Sequence, residues 1–210
     1  MRRRCRPWGD ARLQDDLQVA REATDRTVAI VRQLLAFTGR QVVQRSVLDL
    51  NAVVVDAAQL LVPALGRDVT WQTHCADGLW SVFAASDQLH HVLANPVLNA
   101  RDAGRASASP GVVRISTENI AATDDRPDQV RRIGEDSGIG MNAETQAHAI
   151  DPFFTTKPVG QGTGLGLSMV YGIINALGGR TDITSAPGAG TRVTLTIPRT
   201  APVGRASPSR

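Results

Sequence analysis

Three glycines at alternate positions, Gly162, Gly164 and Gly166, stand at the entrance to an apolar segment from Leu165 to Leu177. Glycine weakens helix and strand interiors alike, so the chain is expected to turn here before it enters a helix that Gly178 and Gly179 then end. Alternating glycines at a helix entrance leave backbone N–H groups free where the helix dipole favours an anion. Thr163 and Leu165 share this turn. Just upstream runs Asp151-Pro152-Phe153-Phe154-Thr155-Thr156-Lys157, and Lys157 is the only lysine among 23 basic residues. Its compact charge suits a phosphate. Phe153 and Phe154 are expected to pin one end of a mobile segment, which leaves Lys157 free to reach that anion.

Two further constellations precede this block. In Asn95-Pro96-Val97-Leu98-Asn99-Ala100-Arg101-Asp102-Ala103, Asn95 and Asn99 are four apart and share one helical face. An amide carbonyl is a neutral oxygen ligand, suited to a Mg²⁺ ion that already carries phosphate oxygens and water. Pro96 lies inside that helix, where it removes a backbone hydrogen bond at a cost of about 3 kcal/mol. A kink displacing Asn95 relative to Asn99 is expected. In Asp136-Ser137-Gly138-Ile139-Gly140, a carboxylate stands beside backbone that a flat ring can approach closely. Such an acceptor matches the exocyclic amine of adenine.

Other schemes fit poorly. The lone lysine precedes the glycines, so there is no G-x-x-x-x-G-K-[ST] loop. Neither glycine cluster has dinucleotide spacing, and the protein-kinase set is missing. His74, His90, His91 and His148 form no triad or metal spacing.

The chain has 210 residues, 42% of them hydrophobic and 20% charged, as in a soluble globular protein. Arg2, Arg3, Arg4 and Arg6 account for more than the whole formal charge of +3, so the body has no basic excess and nucleic-acid binding is not expected. No apolar run is long enough to span a bilayer. Cys5 and Cys75 show no metal or redox spacing. A reduced, cytoplasmic protein without a membrane span is the simplest reading.

Residues 1–10 read as a basic tail. From 11 to 46, Leu17, Ala20, Thr24, Val28, Val31 and Leu35 draw one apolar stripe along a long helix that needs a partner helix. Residues 47–199 alternate helices and strands. A helix runs from Leu48 to Leu65, with Asp49 or Asn51 as its cap, and others are expected over 88–103 and 143–150. Strands are expected at 69–73, 80–83, 112–118 and 129–135, the last weakened by Arg131-Arg132-Ile133-Gly134. Strands at 181–185 and 192–197 flank Ala186-Pro187-Gly188-Ala189-Gly190 as a hairpin. Residues 200–210 read as a disordered tail. The fold class is α+β, a two-layer α/β sandwich preceded by one long helix.

In order and spacing, these blocks resemble the bacterial sensor histidine kinases of the GHKL ATPase superfamily. Asn95 to Ala103 is similar to the N box, Asp136 to Gly140 to the G1 box, Asp151 to Lys157 to the F-box region, and Gly162 to Ser168 to the G2 box. The resemblance implies binding of ATP and Mg²⁺. Asn99 would hold the metal with Asn95 nearby, and Asp136, Gly138 and Gly140 would receive adenine. Lys157 and Gly162 to Gly166 would contact phosphate. The γ-phosphate would pass to a histidine on a helical hairpin, and the helix at 11–46 is similar to the second helix of that hairpin. None of the four histidines matches the acceptor, so it is expected from a helix or partner kinase in trans, in a homodimer, with a response regulator downstream. No catalytic residue is assigned. A nucleotide- or partner-binding module without transfer, and a GHKL serine kinase, are the alternative readings.

Overall fold

The computed structural model describes residues 44–66, 69–105, 111–158 and 162–200. The expected helix over 11–46 lies almost wholly outside them, as do the two expected tails apart from Thr200.

Ser46–Leu48 form a short strand, β1, and Leu50–Leu65 the first described helix, α1. Asp49 caps α1, its carboxylate accepting from the Asn51 N–H at 2.9 Å. Asn51 is therefore not the cap. Its side chain donates to the Ala76 carbonyl and accepts from the Thr117 hydroxyl. Then follow β2 (Val69–His74), β3 (Val82–Ala84), α2 (Ser86–Arg105), β4 (Gly111–Ile120) and β5 (Gln129–Asp136). A short helix α3 (Ala143–His148), the helix α4 (Gly166–Ala176), and strands β6 (Arg180–Ser185) and β7 (Thr191–Pro198) follow among the described residues.

Five strands form one sheet in the order β2-β4-β5-β7-β6, and β1 pairs separately with β3. Among the described strands only β2 and β4 run parallel; α2 makes the crossover that such a pair requires. The three central strands alternate in burial. Val113, Ile115 and Thr117 of β4 are buried, as are Val193, Leu195 and Ile197 of β7, while their neighbours in sequence face outward. Against that inner face pack Val53, Val54 and Ala57 of α1, Leu89, Leu93 and Val97 of α2, and Val170 and Ile174 of α4. One covered and one open face make this a two-layer α/β sandwich.

Two strands differ from the sequence reading. The strand expected at 80–83 begins only at Val82, because Asn119 takes the Trp80 N–H through its side chain at 2.9 Å. The supposedly weak strand at 129–135 is a full eight residues, bonded on both sides to β4 and β7. Helix α2 continues through Pro96 to Arg105. Pro96 falls on its buried stripe, between Leu93 and Ala100, so packing offsets the lost backbone bond.

Candidate nucleotide site

A cavity of about 830 Å³ opens between the sheet and α2, roofed by the segment from Phe154 to Pro158 and by the entrance to α4. Of the residues singled out from the sequence, Asn99, Asp136, Gly140, Lys157, Gly162, Gly164 and Gly166 line it. Asn95, Gly138, Thr163 and Leu165 do not. Asn95 instead lies against the α4 entrance, its Oδ1 3.3 Å from where a Cβ on Gly166 would stand. Leu165 is buried beneath the turn, and its carbonyl accepts from the Ser168 hydroxyl. None of the four histidines lines the cavity.

Asp136 ends β5 and is held rigidly. Its Oδ1 accepts from the Gly138 N–H at 2.8 Å, and it also accepts from the Thr191 N–H. Burial raises its pKa above the ordinary carboxylate value, against the lowering pull of those two N–H groups. The loop that follows is tied to the β6–β7 hairpin. Gly188 N–H donates to the Ile139 carbonyl at 2.7 Å, and Met141 N–H to Ser185 Oγ at 2.8 Å. Gly140 sits at φ +66°, and a Cβ there would stand 2.0 Å from the Ala186 carbonyl oxygen. This position therefore requires glycine.

The opposite wall is polar. Lys157 Nζ donates to Asp102 Oδ2 at 2.5 Å and to Asn99 Oδ1 at 3.4 Å. Arg101 Nε and Nη2 also donate to Asp102, at 3.0 and 2.8 Å. Burial alone would raise the Asp102 pKa, but the hydrogen bonds and charges of Lys157 and Arg101 outweigh it and hold the carboxyl below its ordinary value. Asn99, on the cavity wall, carries a neutral oxygen that Lys157 already engages. No cluster of three or more acidic, histidine or cysteine side chains is found among the described residues, so a cation here would need oxygens from its own ligand.

The roof is fixed differently from expectation. Phe153 is 64% exposed and adopts φ +69°, so its ring pins nothing. The anchor is its backbone, whose N–H donates to the Gly164 carbonyl at 2.9 Å, while Phe154 packs against His148. Asp151 pairs with His148 at 2.7 Å. Among the described residues no side chain caps the N-terminus of α4, which leaves its first N–H groups open to an anion.

Sequence reasoning passed over Asp102, although it lies three residues from Asn99 and so on the same helical face. It also passed over Arg132, which lines the cavity from β5. There the alternation with Val130 and Gly134 was the available signal.

The model of the histidine kinase-, DNA gyrase B-, and HSP90-like ATPases matches residues 84–201. The chain is 40% identical over 193 residues to the sensor kinase CckA of Brucella abortus (strain 2308), covering 88% of this chain and 20% of that protein. It is 35% identical over 183 residues to the sensor histidine kinase ZraS of Klebsiella oxytoca, covering 87% and 37%. The catalytic domain of histidine kinase ThkA superposes with a TM-score of 0.62 at 26% identity, over 74% of this chain and 96% of that one. Full-length ShkA in complex with AMPPNP gives 0.72 at 23% identity, over 90% and 39%. The chain thus spans between a fifth and two-fifths of these curated relatives. Among the described residues, no helix is long and apolar enough to cross a membrane.

Proposed function

This chain belongs to the family of histidine kinase-, DNA gyrase B- and HSP90-like ATPases, and from that premise we propose that it is the ATP-binding catalytic part of a two-component sensor histidine kinase. The observation that carries this reading is a single cavity with three chemistries on its walls. Asp136 offers a base acceptor on the floor, Asn99 a neutral oxygen, and Lys157 with the α4 entrance the phosphate-binding charge. In this reading residues 47–199 are the catalytic domain. The site operates in the cytoplasm, where ATP is supplied.

In this reading the Asp136 carboxylate accepts from the exocyclic amine of adenine. The glycine turn from Gly162 to Gly166 presents N–H groups to the phosphates, with Thr163 and Leu165 fixing its course. Asn99, with Asn95 behind it, would offer amide oxygen to Mg²⁺, which would supply charge neutralisation on the phosphate chain. Lys157 leaves Asp102 for the terminal phosphate. The γ-phosphate then passes to a histidine nitrogen on a helix of the same protein or of a partner, and positioning with charge neutralisation accounts for most of the acceleration. From that histidine it moves to the aspartate of a response regulator.

The test is transfer of labelled γ-phosphate from ATP to a separately supplied acceptor-histidine hairpin. Acid-labile, base-stable label on the hairpin is the expected result. Label on serine would favour the GHKL serine-kinase reading, and nucleotide binding without any transfer would favour the binding module.

A further inference from the structure

Arg132 sits at the centre of β5 on its inward face, between Val130 and Gly134. It is only 1% exposed, and Nε, Nη1 and Nη2 have no hydrogen-bond partner among the described residues. Across the ladder it faces Thr117 and Leu195. The Thr117 hydroxyl donates to Asn51 and accepts from the Ala76 N–H, and Leu195 offers no side-chain acceptor. Burial draws the guanidinium pKa down to about 10, so the group stays charged at neutral pH. A buried, unpaired cation is strongly unfavourable. An acceptor brought in by a ligand would relieve that cost.

The direction of the side chain identifies where such a ligand would stand. A Cβ on Gly134 would lie 2.9 Å from the guanidinium carbon and from both terminal nitrogens, so the group lies over Gly134, toward Asp136. Arg132, Gly134 and Asp136 all line the cavity, and strand alternation sets the three on one face. The floor therefore offers a donor fork next to an acceptor. Asp136 alone favours adenine, because the oxo group of guanine would meet a carboxylate. Arginine reverses this: its fork matches O6 and N7 of guanine, and a single donor serves a ring nitrogen of adenine.

We propose that Arg132 reads the base, donating from its guanidinium to the C6 edge of a bound purine nucleotide, so that the site accepts guanine as well as adenine. The inference rests on the nucleotide reading of the cavity.

The test compares the affinities of the full chain for ATP and GTP, wild type against Arg132→Met and Arg132→Lys. The ratio of the two dissociation constants decides it. Arg132→Met is expected to shift that ratio against GTP by about tenfold or more, the discrimination typical of an arginine–guanine pair. Arg132→Lys, which keeps the charge without the fork, should fall between. Arg132→Met removes an unpaired buried charge and is expected to melt no lower than wild type. A ratio that Arg132→Met leaves unchanged overturns the proposal, as does a wild-type protein that binds ATP but shows no measurable binding of GTP. A wild-type protein that binds neither nucleotide overturns the reading of the cavity instead.

Discussion

Three glycine-to-alanine substitutions separate backbone conformation from steric room, and their order is the sharpest expectation the fold gives. Gly172 lies inside α4 with nothing within 4 Å of a built Cβ. Alanine there gains helix propensity, about 0.5–1 kcal/mol of stability. Gly78 also has open space but sits at φ +63°. Alanine there pays only the left-handed penalty, about 1–2 kcal/mol. Gly140 combines φ +66° with a Cβ 2.0 Å from the Ala186 carbonyl oxygen and 2.9 Å from the Ala186 carbonyl carbon. Backbone overlap adds about 1–3 kcal/mol to the conformational term, for a total loss of about 2–5 kcal/mol. Urea unfolding at constant slope reads these differences directly. The expected order of stability is Gly172→Ala above wild type, then Gly78→Ala, then Gly140→Ala. Gly140→Ala should also weaken nucleotide binding, since the loop that holds Asp136 must leave the β6–β7 hairpin. If Gly140→Ala costs no more than Gly78→Ala, the contact with Ala186 imposes nothing and the reasoning fails.

Further expectations concern the polar wall and the floor. Asp102→Asn releases Lys157 from a half-buried pair worth at most about 1 kcal/mol, so ATP affinity should rise by up to about fivefold. A fall in affinity would mean that Asp102 still holds Lys157 when nucleotide is bound. Because burial raises the Asp136 pKa, its stabilising contribution is full below the ordinary carboxylate value and is lost as pH rises through the raised one. Asp136→Asn should therefore be more stable than wild type at pH 7, and the gap should close in acid; a pH series of urea midpoints checks this. Asn99→Ala is expected to leave Mg-free nucleotide binding intact while abolishing its enhancement by Mg²⁺, as titrations with and without the metal would show.

The architecture was legible where side chains alternate or recur over a long run. Val112 to Glu118 and Arg192 to Ile197 read as strands because every second residue faces the core, and the glycine turn announced the entrance to α4. Short elements were not legible: Ser46–Leu48 is a strand only because Val82–Ala84 pairs with it, far along the chain. Charge misled at β5, where Arg131 and Arg132 suggested a weak strand. In the fold Arg131 turns outward to Glu118 at 2.7 Å, whereas Arg132 turns into the cavity. Two aromatic residues suggested an anchored segment at Phe153, but an exposed ring at positive φ leaves the anchoring to a backbone bond. The partner of Lys157 was hidden as well, since Asp102 lies 55 residues away and only the fold brings it near.

A calorimetric titration of the protein with ATP in the presence of Mg²⁺, wild type against Asp136→Ala, tests whether the cavity holds the nucleotide through Asp136. Saturable one-site binding to wild type is expected, and at least about tenfold weaker binding once the buried acceptor is gone. Equal binding by both proteins, or none by wild type, would contradict it.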